Sequence, residues 1–211
     1  MTLPTSGLIT VNDRGARAAT TFGSVAAVGG NMVFIKKLTA SSSGTLSFVD
    51  GSSSVVLDNT YKEYLFTFKD IHPETDNVSF ELNFRDGGTD YDATKTTTYF
   101  RAYHNEDDSG TTLSYRTAED LAQSTGFQTI ADANSNDNDH SHAGYLRLFN
   151  PSSTTFVKHF MLESHQSFAN NSAHRTFIAG YCNTTTAIDG VQFKMSSGNI
   201  DAGDICLYGI L

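Results

Sequence analysis

Three stretches of the 211-residue chain gather side chains able to do chemistry. The most polar runs from Asp132 to His142, Asp-Ala-Asn-Ser-Asn-Asp-Asn-Asp-His-Ser-His. In an extended chain His140 and His142 share a face, and a His-x-His pair can supply two metal ligands. No third ligand can be identified from the sequence. The expectation is therefore a solvated loop without a metal, with His140 and His142 the residues to check. Loops on a rigid β scaffold commonly carry recognition, which makes Asn136 and Asp139 candidate ligand contacts.

The second stretch, Asn105-Glu106-Asp107-Asp108-Ser109-Gly110, spaces oxygen-bearing side chains as a calcium loop does. Its twelfth position is Arg116, where a bidentate Glu is required, so a hairpin turn is expected instead. The third feature is a set of aromatics near these loops: Tyr91, Tyr99, Phe100, Tyr103 and Tyr115. Aromatic faces beside Asn and Asp can stack on sugars and bond their hydroxyls, although the same rings serve equally as core or interface packing. A glycan site would use Tyr91, Tyr103, Asp107, Asn136 and Asp139.

Motifs for enzyme chemistry do not occur. The chain has no Gly-x-Ser-x-Gly elbow, no His-Glu-x-x-His, no phosphate-cradling glycine loop and no dinucleotide fingerprint. A glycosidase carboxylate pair is defined by separation in space, and 23 acidic residues make a suitable spacing easy to meet by chance. Cys182 and Cys206 sit in strand-like runs and read as ordinary thiols. The expectation is a non-enzyme with no cofactor.

The elements that must position these residues are strands. Tyr64, Phe66 and Phe68 alternate with polar neighbours in Glu63–Phe68, and Phe80, Leu82 and Phe84 do the same in Ser79–Phe84. Similar runs are Met32–Leu38, Gly44–Val49, Val55–Leu57, Thr96–His104, Ala143–Phe149, Phe156–Ser164, Thr176–Asn183, Val191–Met195 and Ile205–Ile210. Turn clusters such as His72–Asn77, Asn150–Ser153 and Ser196–Asn199 separate them. About ten short strands at this spacing predict an all-β fold, a single antiparallel β-sandwich of jelly-roll type. Only 117–124, with Thr117 as N-cap, could form a helical turn or two. Residues 1–30, rich in Ala, Gly and Thr, cannot build a core and read as an extended N-terminal arm before a 31–211 sandwich domain.

Composition narrows the partners. Hydrophobic residues are 38% of the chain, supplemented by 15 Phe and 9 Tyr, each of which buries a large area. A net charge of −9 without basic stripes argues against nucleic acid. No apolar run reaches the roughly 20 residues of a membrane span. No basic, apolar, small-residue leader opens the sequence, so synthesis and solubility in the cytoplasm are expected.

Several segments resemble structural proteins of marine tailed bacteriophages: Asp58–Asn77, Thr97–Tyr103, Leu148–His159 and Gln192–Gly209, with an opening Leu3–Ile9 of similar type. The resemblance spans most of 45–211. It implies a virion surface protein, a capsid decoration or short fibre component, with other virion proteins as partners. It brings no catalytic residues. An arm-docked homo-oligomer is expected, a trimer if it is a fibre, with a host-surface glycan as the alternative ligand and the virion as location.

Overall fold

The computed structural model describes residues 31–168 and 170–211. The expected arm, residues 1–30, lies outside them. Twelve strands follow in order: β1 (Met32–Thr39), β2 (Leu46–Val49), β3 (Glu63–Pro73), β4 (Val78–Arg85), β5 (Lys95–Asn105), β6 (Thr111–Tyr115), β7 (Gln128–Asn134), β8 (His142–Phe149), β9 (Lys158–Phe168), β10 (Ser172–Cys182), β11 (Gly190–Met195) and β12 (Ile200–Ile210). Every pairing is antiparallel.

The pairing resolves into two layers. One begins β1-β12-β3-β8, and the other reads β2-β11-β4-β7. These two four-strand orders are those of a jelly roll, in which the chain winds back and forth between sheets. The expected all-β, jelly-roll-like sandwich is thus what the chain forms. Two insertions widen the first sheet. The β5–β6 hairpin interrupts the chain between β4 and β7, and β9–β10 interrupts it between β8 and β11. They dock as β8-β9-β10-β5-β6. A single ladder pair, Asn134 with Phe168, joins the layers at one corner.

The core lies between the layers. Phe48 of β2 meets Phe66 of β3 edge-on at 5.3 Å, and Phe68 meets Phe80 and Phe193 at 5.7 and 5.3 Å. Phe84 and Phe160 meet at 5.0 Å. Offset and edge-on contacts are the favoured aromatic geometries. Tyr64, Phe66, Phe80, Leu82 and Phe84 are fully buried and Phe68 nearly so, as their alternation predicts.

Some expectations change. Val55–Leu57 forms no strand, yet Val55 and Leu57 are buried as anchors of a loop, held where Leu57 N–H donates to Asp50 Oδ1 at 2.8 Å. The 117–124 segment makes one turn, closed by Asp120 N–H to Arg116 C=O at 3.2 Å, rather than a helix. The expected polar loop loses its first three residues, because β7 extends through Asp132 to Asn134.

Candidate interaction face and loop rim

The insertions create a broad sheet with two unlike faces. On the outer face the register aligns Tyr115, Phe100, Phe177, Glu163 and Tyr145 across β6, β5, β10, β9 and β8. The neighbouring row reads Leu113, Ala102, Arg175, His165 and Ala143. On the other side lie Thr98, Ala179, Met161 and Arg147. Large apolar groups stand in solvent here: Leu113 is 72% exposed, Met161 54%, Tyr115 52% and Phe100 39%. Phe100 stacks on Phe177 at 5.0 Å, and the Arg175 guanidinium covers Phe177 at 4.7 Å. Arg175 also bonds Glu163 and holds its carboxyl below the ordinary carboxylate range. A groove of about 260 Å³ crosses this face between Phe100, Tyr145, Arg147, Met161, Phe177 and Ala179.

The inner face of the extension sets buried polar side chains among the core residues Tyr99, Phe160, Leu162 and Ile178, a mixture that alternation in the sequence does not reveal. Arg101 Nη1 donates to both carboxylate oxygens of Asp132 at 2.7 and 2.5 Å. Gln166 Nε2 donates to Asp132 C=O at 2.6 Å, and Thr97 Oγ1 donates to Gln128 Oε1 at 2.6 Å. The Ser164 and Thr176 hydroxyls both reach Ile130 C=O, at 3.2 and 2.9 Å. Burying polar groups is tolerable because these partners replace water. Further along, Lys95 and Lys158 flank Cys182 in adjacent strands, all three fully buried. Lys95 Nζ donates to Ala93 and Gly126 carbonyls at 3.0 and 2.7 Å, and burial lowers its pKa to about 8. Lys158 Nζ clamps the Thr184 and Thr186 carbonyls at 3.0 and 2.5 Å. The only sequence signal for this layer is the polar residue at alternate positions of β5 and β10.

One end of the molecule is a rim of turns. Segments 74–77, 106–110, 135–141 and 196–199 hold seven Asp and Glu residues and no Lys or Arg. Four of the five expected ligand residues go to this end, but they do not form one site. Asp107 lies in the β5–β6 turn, where it accepts from Ser109 N–H at 3.0 Å, beside a depression shared with Asn105, Asn170 and Asn171. Asn136 is spent on the neighbouring turn, its N–H and Nδ2 reaching Asp76 Oδ1 and Glu74 C=O at 3.3 Å. Asp139 lines a separate depression with Asp70, His72, His140 and Asp201. Tyr103 faces inward and packs on His174 at 5.4 Å. Tyr91 stands before the start of β5, by Gly190, with the eleven residues of that strand between it and the Asp107 turn.

The two histidines part company as well. His142 opens β8 inside the core, 6.1 Å from Phe68 and 5.2 Å from Phe80, with neither ring nitrogen bonded. His140 stays in the turn, 3.9 Å from Asp137. A side chain enclosed by phenyl rings cannot reach an ion shared with a residue in a surface turn. Among the described residues no group of three or more His, Cys, Asp or Glu is arranged to hold a metal. Cys182 is buried and Cys206 half-buried, both as free thiols.

Fold and surface together define a jelly roll with an open-faced sheet extension. Comparison with protein-family models, with curated proteins and with solved structures finds no match. Among the described residues no helix is long and apolar enough to cross a membrane.

Proposed function

We propose that this chain is a non-enzymatic structural component of a tailed bacteriophage particle, displayed on its surface and docked through residues 1–30. The supporting observation is the outer face of the extension, where Leu113, Met161, Tyr115 and Phe100 form rows across adjacent strands. Antiparallel sheets ordinarily turn polar side chains outward, and contiguous exposed apolar patches mark interaction sites. The segment resemblances within 45–211 supply the particle as the setting. In this reading the arm tethers the domain and the sheet face seats against a neighbouring subunit. Deleting residues 1–30 is expected to abolish incorporation into particles while far-ultraviolet circular dichroism stays that of an all-β fold. Incorporation at normal copy number without the arm rules it out as the tether.

A second reading, carbohydrate recognition, draws on the groove. Tyr145 and Phe100 offer ring surfaces there beside the charged heads of Arg147 and Glu163, a combination suited to a sugar's apolar and hydroxyl faces. This moves the glycan contact from the rim to the sheet face. Binding on a glycan array that Tyr145→Ala removes and Tyr103→Ala retains supports it; absence of binding excludes it.

A further inference from the structure

The first sheet ends on β6, which is guarded differently from the other end strands β1 and β2. β1 carries Lys36 and Lys37 and a register break between Phe34 and Lys36. β2 is only four residues long. Bulges, lysines and brevity are the devices that keep sheet edges from pairing with other chains. β6 has neither lysine nor bulge, and at five residues it is one longer than β2. Its sequence, Thr-Thr-Leu-Ser-Tyr, is uncharged, free of proline and rich in strand-forming residues, and it is exposed at four of its five positions. Among the described residues no segment pairs with its outer side.

The ladder shows which backbone groups that edge offers. Arg116 N–H donates to Tyr99 C=O at 2.9 Å and Asn105 N–H to Gly110 C=O at 3.0 Å. Bonded and non-bonded pairs alternate in an antiparallel ladder, so Thr112 and Ser114 bond to β5. Thr111, Leu113 and Tyr115 therefore direct their N–H and C=O groups away from β5. The same three residues align with His104, Ala102 and Phe100, which places their side chains on the outer, apolar face.

We propose that β6 pairs antiparallel with β6 of a second copy of this chain across a twofold axis at Leu113. Thr111 then faces Tyr115 of the other copy, Leu113 faces Leu113, and the outward N–H and C=O groups of all three residues find partners. Antiparallel pairing is self-complementary about a twofold, as a closed isologous dimer demands. None of the five paired residues carries a charge, which matters for a protomer of net charge −9. The two extensions become one continuous sheet, with the Leu113 row running through the junction and each Tyr115 set against Thr111 of the other copy. Edge addition of this kind gains affinity from main-chain bonds. A five-residue edge buries less than the roughly 1,200–2,000 Å² of a standard stable interface, so the dimer is concentration-dependent. This inference names a partner for one edge and does not rest on the virion reading.

Analytical ultracentrifugation of the full chain tests it. The unaltered protein is expected to pass from monomer to dimer as concentration rises through the micromolar range. Leu113→Pro removes an N–H that β5 does not use, and Leu113→Lys restores a guarded edge. Both variants should shift the dimerisation midpoint upward by at least about tenfold with unchanged circular dichroism and melting temperature. If Leu113→Pro perturbs the fold, Leu113→Lys carries the comparison. A protein monomeric at every concentration overturns the proposal, as does an oligomer that both variants retain or an assembly of odd order. None of these outcomes bears on whether deletion of 1–30 blocks particle incorporation, so the two readings fail separately.

Discussion

Buried ionisable side chains set how this protein responds to pH. His142 lies among Phe68 and Phe80, and burial pushes its pKa down to about 3. His174 stacks on Phe168 at 3.9 Å, and burial, helped by Arg101, pushes it down to about 4. Both are neutral in the folded chain, whereas an unfolded histidine takes a proton near pH 6.5. Between those values the unfolded state binds more protons, so stability is intact above about pH 6.5 and falls as pH drops toward 4. Each histidine contributes a slope of about 1.4 kcal/mol per pH unit in that window. Urea midpoints at pH 7, 5.5 and 4.5 should show the decline, and His142→Leu should flatten it. An equal slope in that variant would exonerate the core imidazole. At the opposite end of the extension, Lys158→Met leaves two loop carbonyls without their donor. The cost is roughly 1–3 kcal/mol, read by denaturation and by faster proteolysis within 183–189.

At the scale of elements, legibility tracked alternation. β3 and β4 announce themselves because one face meets a phenyl-rich core and the other meets water or a neighbouring edge. β6 and β7 escaped notice for opposite reasons. β6 has no buried face to generate a period, and β7 buries Gln128 and Asn134, which read as loop residues. The ligand residues were misassembled for a related cause. Tyr91, Tyr103, Asp107 and Asp139 are near in type and in sequence, but strand length and facing separate them, and neither is visible before the register is known. The outer face of the extension was likewise invisible, because its rows draw on strands up to about 80 residues apart. Close approach of strands makes a testable point at Gly144. A Cβ there would run into the Glu163 carbonyl oxygen in β9. Gly144→Ala must therefore spread the β8–β9 ladder at a cost of about 1–3 kcal/mol, seen as a fall in melting temperature. An unchanged melting temperature would mean that the ladder relaxes freely.

For the molecule as a whole, charge and apolar surface are segregated. Acidic side chains crowd the rim, while the outer sheet face pairs its charges locally, Arg175 with Glu163 and Arg147 with Glu63. Two copies of a body with net charge −9 repel at long range, and salt screens that repulsion. Association through β6, which carries no charge, should consequently tighten as ionic strength rises from about 0.02 to 0.3 M, where the Debye length is shorter. Weakening with salt would point to ion pairs holding the copies together. Sedimentation at both ionic strengths distinguishes the two.

The placement of β12 has a consequence for how the chain is made. β12 lies between β1 and β3 and bonds to both, yet it leaves the ribosome after the other eleven described strands. Until Ile200–Ile210 emerges, β1 has no partner among the described strands and β3 has one edge of unpaired N–H and C=O groups. Long-range pairing of this sort delays folding and leaves incomplete sheets prone to aggregate. A nascent chain stalled before residue 200 should therefore remain protease-sensitive and bind chaperones, and emergence of β12 should relieve both.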